Sequence, residues 1–459
     1  MASSIVVCVS LHGMTKTNGH APRELIVSAF VAFASFGAFW GVWGASVPRV
    51  QAQAGVSDGQ LGLALLFVGA GALPAMLLVG RALDRWGLKV AAGVISALGV
   101  VGAGLALTAV DLATLCVGLA LVGATSGAAD VAMNAVAGRA EELARRPVIT
   151  RAHGTFSSFV VLGSLATGLA SSASLPLTVP FLAAAALSVI AGAAMLGTLP
   201  AGVAGTSPGH AASARPSSPA QLRMVPLVLI GTLGALAFAS ENAHQSWSAV
   251  FAHDQLHAGA GLTAVAPAVF AATVAITRFA AGGLGAAHVQ TVLLAGALAA
   301  GAGAVIIAVS PTLLVAAVGL TVAAAGTAVL FPTLVGVVSR NVDESRRGRA
   351  TAVVTTVSYL GFLLGPVYVG LCADAFGLRG AMFAVAALAV ALFVLAPALL
   401  RLSGFHHRAD RDGAGRDHAG RDDTASGVDV GRRTAERRTA GPSGGEVAAG
   451  AGHGGATGR

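Results

Sequence analysis

Gly80-Arg81-Ala82-Leu83-Asp84-Arg85-Trp86-Gly87-Leu88-Lys89 is a short polar stretch with a long apolar run on either side. The preceding run covers roughly 59–79 and the following one 90–109. Each has the ~20 mostly apolar residues that an α-helix needs to cross the hydrocarbon core of a bilayer. A turn this short returns the chain at the face where it emerged, so the two runs read as an antiparallel pair of membrane helices joined by a basic turn.

Outward from this hairpin the pattern repeats. The first half holds spans at about 25–47, 59–79, 90–109, 112–138, 152–173 and 177–199. The second half holds them at about 225–250, 262–283, 289–309, 312–338, 350–372 and 377–400. The fold expected is all-α, with twelve transmembrane helices in two six-helix bundles. A lead at 1–24 precedes the first bundle (25–199), and Met14 is a second plausible start. A Pro-, Ser- and Gly-rich linker at 200–224 separates it from the second bundle (225–400). Residues 401–459 are rich in Arg, Asp, Gly and His and read as a disordered tail, because they cannot bury enough apolar surface to order themselves.

Composition agrees. Of 459 residues, 55% are hydrophobic and only 10% charged, against about 25% charged in soluble domains. Too few charges are present to make a wholly water-facing surface, and a lipid-facing one needs none. The 61 glycines suit a membrane bundle, in which small residues let helices approach closely. A net charge of +8 could suggest nucleic acid as a partner. The basic residues, however, are spread over short loops rather than gathered in one patch, and no nucleic acid is expected.

Their distribution sets an orientation. Loops on the side of the termini carry Arg81, Arg85, Lys89, Arg139, Arg145, Arg146, Arg151, Arg215, Arg223, Arg340, Arg346, Arg347 and Arg349, whereas the opposite loops carry Arg49 and Arg379. The excess of Lys and Arg in cytoplasmic loops then places both termini in the cytoplasm of a bacterial-type inner membrane. Cys8, Cys116 and Cys372 have no metal-ligand or disulfide spacing.

At Gly80, Asp84, Arg85, Gly87 and Lys89 the first polar turn resembles the loop motif of the major facilitator superfamily, Gly-x-Leu-x-Asp-Arg-x-Gly-Arg-Lys. Gly80 and Gly87 would permit a tight turn, and the resemblance implies a cytoplasmic latch between the halves. The corresponding second loop, Arg278 to His288, keeps the Arg and glycines and lacks the acid, so no second latch is expected there. Arg278 either pairs inside the bundle or, the reading favoured, snorkels to the interface. Asp130-Val131-Ala132-Met133-Asn134, Arg146 to Ser157, Ser240 to Phe251 and Tyr359 to Gly370 resemble the MosC-like branch, related to the fucose:proton symporters. The chain departs from that branch at Ser246, where an Asp is expected before Trp247.

Ionisable residues inside a span are costly and mark function. Asp130 is the only acid between Asp111 and Glu141. A carboxyl in apolar surroundings can carry a proton as a cavity changes side, and Asn134 lies one helical turn away. Glu241, His244 and Gln245 at i, i+3 and i+4 read as one polar stripe on span seven. Asp130 and Glu241 are the proton-coupling candidates. Asn134, His153, His244, Gln245 and Tyr359 are the substrate-cavity candidates. Trp40 and Trp43 read as interfacial anchors.

No Gly-x-x-x-x-Gly-Lys-[Ser/Thr] loop or zinc pattern is present. No cofactor and no enzymatic activity are expected, and transport would draw on a gradient or be passive. The partners expected are a small polar solute, possibly sugar-like, a proton and the lipid bilayer. Span five lacks the Gly-Pro pair frequent in antiporters of the resembled superfamily, which favours import over drug or metabolite efflux. A transporter-like sensor is the remaining reading, for which the tail offers no recognisable output module.

Overall fold

The computed structural model describes residues 20–199, 223–281 and 289–405. The expected linker and tail fall almost entirely outside these residues, as do most of the lead and the glycines Gly282, Gly283 and Gly285 of the second loop. In the described part every regular element is helical. The first six are α1 His20–Ala54, α2 Asp58–Trp86, α3 Val90–Thr108, α4 Leu112–Ala144, α5 Ile149–Ser172 and α6 Thr178–Thr198. Then follow α7 Met224–Asp254, a 3-10 turn at Leu262–Ala264, α8 Val265–Ala281, α9 Val289–Val309 and α10 Leu313–Asn341. The last helical stretch, Glu344–Ser403, leaves helical conformation at Gly377 (φ 73°, ψ 165°). It is two crossings, α11 at 344–376 and α12 at 378–403, which makes twelve among the described residues.

Several helices run past the expected spans. α4 continues to Ala144 and α7 to Asp254. An apolar window ends at the first charged residues, but a helix can continue through the polar headgroup layer with its backbone bonds intact.

The ends are set by local chemistry. Ser57 caps α2 in a capping box: its hydroxyl accepts from Gln60 N (3.2 Å), and Gln60 Oε1 accepts from Ser57 N (3.0 Å). Asp111 caps α4 through Thr114 N at 2.8 Å. Gly87, at φ 73°, stops α2 and sends its N–H to Leu83 O. The two expected arginines of the face opposite the termini both bind carbonyls near helix ends. Arg49 donates to Ser171 Oγ (3.1 Å) and Leu175 O (2.8 Å). Arg379 donates to Ala308 O (2.7 Å) and Ser310 O (2.8 Å). These carbonyls lack helical donors and need partners.

In the first half α2 packs on α4, α1 on α5 and α3 on α6. In the second, α7 packs on α11, α9 on α10 and α12, and α8 on α10. The contacts are backbone-close. A Cβ on Gly127 would sit 2.9 Å from Ala72 Cα, and one on Gly365 would sit 2.8 Å from Ala239 O. The halves meet chiefly along two pairs, α2 with α11 and α5 with α8, with a smaller contact of α1 on α7. At the face away from the termini Gly62 of α2 is in van der Waals contact with Pro366 of α11, and Gly168 of α5 with Gly261, which precedes the 3-10 turn.

Candidate functional site

Between the halves lies a cavity of about 290 Å³ walled by α1, α2, α4, α5, α7 and α11. Its size is at the small end of ligand pockets. α1 presents Phe36, Trp40 and Trp43, which follow one another at four and three residues and so share a helix face. Phe156 of α5 and Tyr359 and Phe362 of α11 complete an aromatic wall. The polar side chains are Ser126 and Asp130 from α4, and Asn242, Gln245 and Ser246 from α7.

Asp130 is the only carboxylate on this wall. It lies 18 residues into a helix of 33 (112 to 130), about 27 Å from that end at 1.5 Å per residue and about 21 Å from the other. This is near mid-helix. Asn134 donates its Nδ2 to Asp130 O (2.9 Å) and Asp130 Oδ1 (3.2 Å), fixing the carboxylate. Asn134 itself stands behind Asp130 and is not part of the wall.

The polar stripe of α7 divides among three environments. Gln245 faces the cavity. Glu241 Oε1 pairs with Arg278 Nη2 of α8 at 2.8 Å. His244 is fully buried, its Nδ1 2.7 Å from Ser240 O and its ring stacked on Phe270. Arg278 takes the pairing reading, with its side chain still 46% exposed in the last turn of α8. It is held by Glu241 and also reaches Ala328 O of α10 (3.4 Å). His153 lies outside the cavity wall, edge-on to Phe33 with centroids 4.8 Å apart. Tyr359 is in the wall, and its ring packs against Phe238 and Phe362.

At the first polar turn, Asp84 and Arg85 occupy the last turn of α2, Arg85 lies over the Trp86 ring, and Lys89 precedes α3. The tight turn is made at Gly87. Gly80 is inside the helix, and nothing lies within 4 Å of where its Cβ would be, so no close approach requires glycine there.

Trp40, Trp43, Asn242 and Ser246 are cavity residues that the pattern of polar residues did not single out. The four- and three-residue spacing of Phe36, Trp40 and Trp43 was the available signal for the tryptophans. Trp43 is buried rather than interfacial because α1 extends to Ala54 and places it well inside the bundle.

Among curated proteins, the chain is 28% identical over 363 residues to the uncharacterized transporter y4wD of Sinorhizobium fredii, covering 77% of this chain and 92% of the relative. An uncharacterized MFS-type transporter of Yersinia pestis is also 28% identical, over 77% of this chain and 90% of its own length. Of solved structures, the nucleoside transporter NupG superposes with a TM-score of 0.66 at 14% identity, over 83% of this chain and 99% of its own. A bacterial homolog of the human lysosomal transporter Spinster, inward-facing and occupied, gives 0.65 at 14% identity, over 83% and 97%. These two likenesses establish the fold. Residues 28–291 and 288–434 match the sequence profile of the Major Facilitator Superfamily, and with twelve crossings around a central cavity the chain belongs to that family of membrane transporters.

Proposed function

We propose that the protein is a proton-coupled secondary transporter that carries a small polar solute, sugar or sugar-like, by alternating access across a bacterial inner membrane. The observation that carries this reading is the one carboxylate that lines the cavity among the described residues, Asp130, held by Asn134 on a wall that also presents Gln245, Asn242 and aromatic rings. Amides and a carboxylate offer paired donors and acceptors to hydroxyls, and rings offer flat faces to the C–H side of a sugar. A carboxyl on the wall of a cavity that opens to one side at a time can load a proton on one side and release it on the other. The resemblance to the MosC-like branch supports a sugar-like solute. The excess of basic loops supports cytoplasmic termini, with 200–224 as linker and 401–459 as tail.

The aromatic majority of the wall favours a second reading, export of an amphipathic drug or metabolite by proton antiport. The direction of proton movement separates the two. Purified protein in liposomes, with a pH dye and a panel of hexoses, nucleosides and cationic dyes, should show proton movement in the same direction as the solute for uptake and opposite to it for export. Asp130→Asn should abolish accumulation against a gradient while exchange of labelled solute persists; undiminished accumulation would refute the coupling role. For orientation, an impermeant thiol reagent added outside should label a cysteine at Ala260 and spare one at Arg145, and the reverse pattern would invert the topology.

A further inference from the structure

We infer that Asn242 is a positioning residue for the cavity: it supplies the hydrogen bond that Pro366 denies to the carbonyl of Phe362, and so fixes the bend of α11. In an α-helix the carbonyl of residue i accepts from the N–H of residue i+4. Residue 366 is proline and has no N–H, so the carbonyl of Phe362 loses its helical donor in the interior of α11. Asn242 Nδ2, from α7, donates to Phe362 O at 2.6 Å. The amide is held from its other end as well, because Ser246 Oγ donates to Asn242 Oδ1 at 3.1 Å. That second bond decides which end of the amide faces α11: the oxygen is occupied, and the nitrogen points at the carbonyl.

The short asparagine side chain reaches because the backbones of α7 and α11 are in contact over the two turns that precede it on α7. A Cβ on Gly365 would stand 2.8 Å from Ala239 O, and Gly361 lies directly against the carbonyl of Ala235. Asn242 is itself buried, so an amide left without its carbonyl partner would carry a desolvation cost. The same solution recurs in α10. Pro332 deprives Ala328 O of its donor, and Arg278 Nε from α8 approaches that oxygen at 3.4 Å.

The consequence reaches the cavity through α11. Tyr359 and Phe362 stand on the wall immediately before the proline, and Asn242 and Ser246 line the same space. The angle at which α11 bends sets where the two rings stand, and the Asn242 bond selects one angle from those a proline-interrupted helix can take. None of this rests on the identity of the solute or on proton coupling.

The test is a double-mutant cycle on the full-length protein in detergent, comparing the wild type, Asn242→Leu, Pro366→Ala and the double variant by thermal unfolding. Leucine keeps the approximate volume and removes the donor. Asn242→Leu is expected to lower the melting temperature by about 1–2 °C, the shift for loss of ~1 kcal/mol at ~2.1 cal/mol/K per residue in a helical unit of this size. In the Pro366→Ala background the backbone supplies the missing N–H, and the same substitution is expected to cost clearly less. Equal drops in both backgrounds would mean that Asn242 acts through packing alone, and would overturn the inference. Hydrogen exchange on Asn242→Leu alone is the second measurement, useful if Pro366→Ala does not fold. Amides of 359–370 should exchange faster while those of α9 do not change; unaltered exchange in 359–370 would equally overturn it.

Discussion

Gly62 offers the sharpest perturbation of the contact between the halves. A Cβ there would lie 2.9 Å from Pro366 O, 3.2 Å from Gly370 Cα and 3.3 Å from Val367 Cα. All three are backbone atoms and cannot rotate aside. Ordinary contacts are about 3.3–3.6 Å for carbon to oxygen and about 3.5–4.0 Å for carbon to carbon, so α2 and α11 must part by about half an ångström. Overpacking of this kind costs about 1–3 kcal/mol. The cost falls only on the conformation in which the face away from the termini is shut, so the population of that conformation relative to its alternative should fall by roughly 5–150-fold. The assay is labelling of a cysteine at Ser126, in the cavity, with the native cysteines replaced and an impermeant maleimide added to that face. Gly62→Ala should raise the labelling rate and Gly62→Leu should raise it further. Gly80→Ala, with open space around its Cβ, should leave it unchanged. A folded Gly62→Leu protein that labels at the wild-type rate would refute the reasoning.

Glu241→Gln should leave Arg278 without its carboxylate. With side chains 15% and 46% exposed, the loss should fall between about 1 kcal/mol for an exposed pair and about 3–5 kcal/mol for a buried one, nearer the former, as read by thermal unfolding. Asp84→Asn should reach the membrane in normal amount and transport poorly if the α2 turn latches the halves; normal transport at normal abundance would leave only a topological role. At Asp111, the hydrogen bonds from Thr114 N and then Thr114 Oγ1 hold the carboxyl below its ordinary range. Its capping contribution is therefore fully present above the ordinary carboxylate pKa and is lost as pH falls through the depressed value. The melting-temperature advantage of wild type over Asp111→Ala should be constant near neutrality and vanish on acidification.

The fold was legible because a membrane span states itself in length and apolarity, and turns such as Gly80 to Lys89 punctuate the spans. Asp130 was legible for the same reason, as the lone charge in an apolar run. The polar stripe of α7 was not. At about 100° per residue, His244 and Gln245 lie about 100° apart around the helix. On a surface helix that is still one side, but in a bundle with neighbours all round it separates the cavity from the core. Glu241 was drawn away by Arg278, whose position required knowing that α8 passes alongside. Asn242 was invisible for a deeper reason: its partner is a main-chain oxygen 120 residues distant, exposed by a proline four residues further on. No pattern local to Asn242 encodes that.

The corner at Gly377 bears on how this chain can vary. Most connections between helices are surface loops that absorb an added or lost residue. Here one residue in a left-handed conformation joins α11 to α12, with no loop between. Inserting or deleting a residue would rotate all of α12 by about 100° relative to α9. It would also swing Arg379 off the carbonyls of Ala308 and Ser310, which it binds at 2.7 and 2.8 Å. The corner therefore works as a mechanical ruler: relatives that keep this joint must keep its length, and changes in length should accumulate at the other turns.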